Sequence, residues 1–438
     1  MRRILVLIFT LLILVACRQG PEATPTQAPT ATDETAVAPT AAPTNTPAPT
    51  VAPPPEPTAA PTAVPAACSP DDPIYLAIVW HQHQPVYFQD PETGVFARPW
   101  VRLHAAKDYV DMAAILRDYP DVKATFNLTP SLLRQLEAIA AGATDLAWEH
   151  TLVPAEALTD AQKQFILDRF FDTNRRIVAR FPRYQELLDL RDNSDDPLTA
   201  YSADDFRDLQ LLFNLAWTDP DWLAEAPLAT LVAKGEGFSE EDKTIVLDEH
   251  LRLVTEVIPL HRALQDAGQI EITTTPFAHP ILPLLVNTDL ALKALPEATL
   301  PNPPFIWGQD AVAQVELGVA YYTERFGQPP RGMWPSEGSV AEEMISMVAA
   351  SGIQWMASDE GVLAHSINLG SFARDGNEVV VEADRLYRPY NVQGRNGGPV
   401  AMLFRDRIIS DKVGFTYSGL PGEAAADDFM HRIHAICG

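Results

Sequence analysis

Two acidic residues stand where chemistry is expected. Glu337 follows Gly332-Met333-Trp334-Pro335-Ser336, and Asp359 closes the apolar stretch Ile353-Gln354-Trp355-Met356-Ala357-Ser358. A pair of carboxylates suits glycoside cleavage: one attacks or stabilises an oxocarbenium-like carbon while the other protonates the departing oxygen. Either acid alone would be read as a helix N-cap or an ion-pair member. Their joint placement, with Trp334 offering a flat apolar face on which a sugar ring can stack, favours carbohydrate chemistry.

His81 and His83 lie two apart in Trp80-His81-Gln82-His83-Gln84-Pro85, so on an extended segment both point to one face. Three readings are open: metal ligands, hydrogen-bond partners for sugar hydroxyls, or core histidines. A metal would need a further His or a carboxylate, which His279 or Asp359 could supply. The flanking glutamines favour hydrogen bonding to hydroxyls, and no metal or cofactor is expected.

These residues need elements to hold them. Continuous apolar runs of the kind buried in a parallel sheet predict strands at Ile74–Trp80, Val122–Leu128, Ile270–Pro276, Gly332–Trp334, Ile353–Ser358 and Val400–Phe404. Helical stretches separate them, and Thr159-Asp160-Ala161-Gln162 and Ser239-Glu240-Glu241-Asp242 read as capping boxes ahead of amphipathic runs. Alternating strands and helices predict a parallel α/β domain. The helical stretch from about 155 to 265 is too long for one crossover and reads as a large insertion over the mouth of a barrel. In such barrels chemistry gathers beyond the C-terminal strand ends. Polar residues do gather there: His81 and His83, the Glu271-to-His279 segment, Glu337, Asp359-Glu360, and Arg405-Asp406-Arg407.

The rest of the 438-residue chain carries no such chemistry. Arg2-Arg3 ahead of the apolar run Ile4–Val15 has the shape of a secretory signal and is short for a membrane span. Its end, Leu14-Val15-Ala16-Cys17, resembles the lipobox of bacterial lipoproteins, so residues 1–17 are expected to be a signal with Cys17 lipidated and the protein anchored on the outer face of a bacterial membrane. An ordinary signal peptide is the alternative. Residues 18–67, rich in Pro, Thr and Ala, cannot bury a core and read as an extended stalk. The folded part is expected over 71–438. Cys68 and Cys437 flank it and could pair, closing a long loop for about 4 to 5 kcal/mol in the chain-entropy account. A net charge of −26 argues against nucleic acid as a partner, because phosphate binding wants a basic face.

With the motifs in place, a family resemblance emerges. His81-Gln82-His83-Gln84-Pro85 resembles the first signature of glycoside hydrolase family 57, and Gly268-Gln269-Ile270-Glu271-Ile272 resembles the second. Trp334-Pro335-Ser336-Glu337 resembles the third, which carries the nucleophile, and Trp355-Met356-Ala357-Ser358-Asp359-Glu360 the fourth, whose Asp is the acid/base. The likeness continues through Pro99-Trp100-Val101-Arg102-Leu103-His104 and Phe404-Arg405-Asp406-Arg407, over roughly 75 to 435. It implies an incomplete TIM-like (β/α)7 barrel and a retaining mechanism on α-1,4 or α-1,6 glucans such as starch, glycogen or maltodextrin, by hydrolysis or glucan transfer. It further implies that His81, His83, Glu271, His279 and Trp334 shape the subsite around the reacting sugar; Arg405 and Asp406 are taken as additional substrate-binding residues. The family's fifth signature and helical C-terminal region are not found, so a C-terminally truncated chain is expected. The alternatives are a metal-dependent polysaccharide deacetylase or α-mannosidase-like barrel enzyme using His81, His83 and an Asp, and an inactive glucan-binding surface lipoprotein.

Overall fold

The computed structural model describes residues 75–437. The signal and Cys17 at 1–17, the stalk at 18–67, Cys68 and the Cys437 side chain lie outside the described residues.

The described strands are β1 (Val79–Gln82), β2 (Ala124–Leu128), β3 (Ile270–Thr273), β4 (Gly332–Met333), β5 (Trp355–Asp359), β6 (Tyr390–Gln393) and β7 (Pro399–Arg405). Strands β1, β2 and β3 pair in parallel, with His81 opposite Asn127 and Thr125 opposite Glu271. Strands β4, β5 and β7 also pair in parallel, with Asp359 opposite Arg405, and β6 lies antiparallel on the outer edge of β7. A single parallel bridge, Thr274 with Met333, continues the ladder from β3 to β4: Thr274 N–H donates to the Gly332 carbonyl at 3.3 Å and Trp334 N–H to the Thr274 carbonyl at 2.9 Å. The parallel strands thus follow one another in chain order, and their C-terminal ends share one rim. The α/β expectation holds.

Two apolar layers back this sheet. Phe126, Leu128, Ile270 and Ile272 pack with Leu132 and Leu136 of the Pro130–Ala140 helix and with Leu253, Val257, Leu260 and Leu264 of the Glu240–Asp266 helix. Met333, Met356, Val400 and Met402 pack with Val315 of the Gly308–Phe326 helix and with Met344, Ile345 and Val348 of the Glu342–Ala350 helix. Burying each such side chain contributes roughly 1.5 to 3 kcal/mol. Both expected capping boxes are present, Thr159 with Gln162 and Ser239 with Asp242. A third, Ser202 with Asp205, opens the Ala203–Ala216 helix.

Two expectations need correction, and one strand was not foreseen. The first strand begins at Val79, not Ile74: Tyr75 and Leu76 are exposed (92% and 47%), because the pairing with β2 begins only where Thr125 N–H reaches the Ile78 carbonyl. The stretch 155–265 is not one insertion. Val246 and Leu247, near the start of the Glu240–Asp266 helix, join a helical core with Phe170, Tyr184, Phe206 and Phe213, whereas Leu253 to Leu264 of the same helix cover β2 and β3. One helix is therefore both the end of the insertion and the layer on the sheet. Strand β6, unforeseen, is a half-exposed edge whose alternating polar residues gave no apolar run. Arg102, fully buried, locks the junction: it forks onto Asp145 (2.7 and 3.2 Å) and reaches Asn214 of the Ala203–Ala216 helix at 2.8 Å.

Candidate active site

Sites at the rim of a parallel sheet are built by the residues that end each strand. On β1, His81 Nδ1 meets Asn127 Oδ1 of β2 at 2.6 Å. The Asn127 amide nitrogen is already committed to Thr273 Oγ1 (2.9 Å) and the Thr274 carbonyl (2.8 Å), so its oxygen can only accept and His81 Nδ1 must be the donor. His81 Nε2 is left with its lone pair toward the rim. Period-two alternation turns the glutamines of the motif the other way: Gln82 and Gln84 are buried, and Gln84 bonds Tyr109 (2.9 Å) and Tyr87 (2.6 Å). Gln84 thus braces the turn, while the Gln82 amide reaches only the Met112 sulfur at 3.8 Å.

His83, His279 and Trp334 complete a ring cluster with His81. Ring centroids lie 5.6 Å apart for His81–His83, 5.4 Å for His81–His279, 4.0 Å for His83–His279 and 5.5 Å for His81–Trp334. The imidazoles are nearly parallel, with interplanar angles of 17° to 26°. Burial holds these bases neutral. The His279 ring is pushed down to about 3, chiefly by burial and then by His83 and His81. Although His81 is partly open to solvent, the atoms packed round its ring push it down to about 4, against the Asn127 bond, which acts the other way. His83 is lowered by burial, with the Glu337 charge opposing. Ligating nitrogens of the three histidines lie within 4.8 Å of one another. A cation, however, must lie in the plane of each imidazole, and the lone pairs of stacked rings run alongside one another instead of converging, so coordination would require a ring to turn.

Glu337 sits on the tight turn Ser336–Gly338, with φ 59° and ψ 20°. His279 also has positive φ, 57°, and its Nε2 lies 3.4 Å from Glu337 Oε1. Left-handed backbone in two non-glycine residues that touch is costly, of order 1 to 3 kcal/mol each, and such strain clusters at working sites. Both His279 nitrogens are buried without a hydrogen-bond partner, while the Glu337 side chain is 65% exposed to the rim. The turn is anchored from β5: Ser358 Oγ donates to the Gly338 carbonyl at 2.6 Å.

Asp359 ends β5 and caps the Glu360–Ser366 helix, its Oδ1 accepting from Gly361 N–H at 2.8 Å. Its Oδ2 accepts from Arg405 Nε at 3.0 Å, and Arg405 Nη1 lies 3.4 Å from Asp411 Oδ1. The structure therefore brings together His81, His83, His279, Trp334 and Glu337 by direct contact. It links Asp359 to the Glu337 turn through Ser358, and Arg405 to Asp359.

Two expected residues lie elsewhere. Glu271 accepts from the Trp355 indole at 2.9 Å and lies 3.6 Å from Arg331, groups at the starts of β5 and β4. That is the opposite end of the sheet from Asp359, about 13 Å along β5 at the strand rise per residue. Glu271 thus holds the floor. Asp406 is 9% exposed, and its oxygens are taken by Arg374 (2.8 Å), Tyr387 (2.6 Å) and the Ile409 amide (3.2 Å), so it buttresses the rim from behind. Arg374 also pairs with buried Glu360. Sequence reasoning missed Asn127, Ser358 and Trp355. A lone Asn in the strand Ala124-Thr125-Phe126-Asn127-Leu128, fully buried, was the available signal for the first.

The description Glycosyl hydrolase family 57 matches residues 77–437. A 1,4-alpha-glucan branching enzyme of Thermococcus kodakarensis is 28% identical over 190 residues, 40% of this chain and 24% of that protein. Alpha-amylase 1 of Dictyoglomus thermophilum is 26% identical over 109 residues, 25% of this chain and 12% of that protein. Among solved structures, the alpha-amylase AmyC of Thermotoga maritima aligns at 16% identity and a TM-score of 0.38, covering 79% of this chain and 48% of that one. The chain spans a quarter or less of these curated relatives. With more than half of its length matched, the chain belongs to glycosyl hydrolase family 57.

Proposed function

We propose that this protein cleaves α-1,4 or α-1,6 glucans such as starch, glycogen or maltodextrin by double displacement, with Glu337 as nucleophile and Asp359 as acid and base. The observation that supports it best is the join between the two carboxylates: Glu337 follows β4, Asp359 ends the adjacent β5, and the Ser358–Gly338 hydrogen bond ties their backbones together. The parallel strands in chain order are what a (β/α)7 barrel would require, and that barrel is the architecture we read here.

In the first half-reaction the proton on Asp359 passes to the glycosidic oxygen, the bond from that oxygen to the anomeric carbon breaks, and a Glu337 carboxylate oxygen bonds that carbon. In the second, Asp359 takes a proton from water or a glucan hydroxyl, whose oxygen displaces Glu337. Trp334 offers a stacking face. Neutral His81 presents Nε2 as an acceptor, and His279, its nitrogens buried, backs the Glu337 carboxylate from 3.4 Å. Acceptor choice separates hydrolysis from transfer. The same reading places the enzyme on the outer face of a bacterial membrane, held by lipid on Cys17 with residues 18–67 as spacer.

The test is Glu337→Ala with azide. Retained folding, loss of maltodextrin cleavage, and recovery of a β-glycosyl azide from an α-glycosyl fluoride would identify the nucleophile. Normal cleavage by the variant would refute the assignment.

A further inference from the structure

The two oxygens of Asp359 have different partners. Its Oδ1 accepts from the backbone amide of Gly361 at 2.8 Å, a donor fixed by the helix it caps, and the transferable proton is assigned to Oδ2. That oxygen is occupied by Arg405 Nε at 3.0 Å. A guanidinium has no acceptor and keeps its charge, so its bond to Oδ2 is strong when the carboxyl is ionised and weak when Oδ2 holds a proton. Arg405 has a second anion within reach, Asp411 Oδ1 at 3.4 Å from its other arm. Both side chains are partly exposed, Arg405 38% and Asp411 44%, so the guanidinium has room to shift between them. Its base does not shift: Arg405 is the register partner of Asp359 on β7. The Arg407–Asp411 helix that carries Asp411 is capped by Asp406, itself held by Arg374 and Tyr387.

We propose that Arg405 follows the charge on Asp359, and so is a positioning residue for the proton transfer; this rests on the reading of Asp359 as the acid and base. With Asp359 protonated, the guanidinium leans on Asp411. As the proton leaves Oδ2 for the glycosidic oxygen and the electron pair of the broken C–O bond settles on that oxygen, negative charge appears on Oδ2 and Arg405 moves onto it. In the second half-reaction Asp359 regains a proton from the incoming hydroxyl, and Arg405 returns to Asp411. The contribution falls on the step that makes charge at Asp359, so it matters for leaving groups that need a proton and not for those that depart unaided.

Arg405→Met and Arg405→Lys are compared with the unaltered full chain on maltoheptaose and on α-maltosyl fluoride, whose fluoride departs without a full proton transfer. The expected result for Arg405→Met is a fall in kcat on maltoheptaose of about 10- to 100-fold, part of the 10²- to 10⁴-fold that a positioned proton transfer contributes. Its KM and its rate on the fluoride should stay within about threefold, and Arg405→Lys, which keeps the charge, should recover most of the loss. Equal loss on both substrates would make Arg405 merely structural, and no loss on maltoheptaose would make it idle; either overturns the proposal. Inactivity of the unaltered chain on both substrates would instead overturn the glucan-cleaving reading beneath it.

Discussion

Ser358 donates its hydroxyl to the Gly338 carbonyl at 2.6 Å, joining the residue before Asp359 to the residue after Glu337. Two strands that share only a short ladder thereby hold their C-terminal ends as one unit. Ser358 is fully buried, so the bond is shielded from water. Ser358→Ala would leave the Gly338 carbonyl without this partner, at about 1 to 3 kcal/mol. The expected kinetic outcome is a fall in kcat that exceeds any change in KM, because the turn bearing Glu337 loses its anchor. Denaturant unfolding together with maltodextrin kinetics checks both halves.

Asp359→Asn keeps the shape of the side chain and its cap on the Gly361 amide but removes the transferable proton. Turnover of maltodextrin should fall by about 10²- to 10⁴-fold. Added azide, which needs no base, should restore release of an α-glycosyl azide from an activated α-glycoside when residue 359 is Ala. Product configuration read by proton NMR decides this.

Asn127 sets the tautomer of His81. Asn127→Leu would remove the acceptor for His81 Nδ1 and the donors to Thr273 and Thr274, all in a buried position. Losing these partners should cost about 1 to 3 kcal/mol for each buried group left unpaired. Nitrogen-15 NMR of the imidazoles should show His81 losing its single Nδ1-protonated form. Retention of that tautomer would mean another group sets it.

Acid should weaken the fold through the histidine cluster. His279 titrates at about 3 and His81 at about 4, with His83 lowered too, against an ordinary value near 6.5 in the unfolded chain. Between these values the unfolded chain binds more protons, so this stability is fully present above pH 6.5 and drains away as pH falls toward 4 and 3. For His279, whose side chain is buried, the slope is at most about 1.4 kcal/mol per pH unit; exposed His81 contributes less, because solvent screens its charge. His279→Gln should flatten the dependence of unfolding free energy on pH between 6 and 4 relative to the unaltered chain; an unchanged slope would contradict the assigned burial effect.

Gly332 in β4 makes room for the floor of the site. A Cβ there would lie 2.3 Å from the Trp355 ring and 2.7 Å from Thr273 Cγ2, while that indole bonds Glu271 from the far side of the strand. Gly332→Ala should therefore destabilise by about 1 to 3 kcal/mol or more through overpacking, and the Trp355 fluorescence should shift as the ring is displaced.

The sequence alone determined what depends on neighbours along the chain. Apolar runs located six strands to within a few residues, the capping boxes at Thr159 and Ser239 gave two helix starts, and polar residues after apolar runs marked one rim. Those signals are local, since strand burial and N-caps are read from adjacent residues. The family motifs then assigned roles to Glu337 and Asp359. Only the tertiary structure decided which distant groups meet. Nothing in the spacing says that Arg405 faces Asp359, because β7 pairs with β5 while β6 is set aside on the edge. Nor does it say that Glu271 faces the starts of β4 and β5, that Asp406 is consumed by Arg374 and Tyr387, or that three imidazoles stack. Each of these turns on strand register and on which buried partner claims a polar atom first, and register is fixed by packing across the sheet, where residues far apart in sequence compete for the same space.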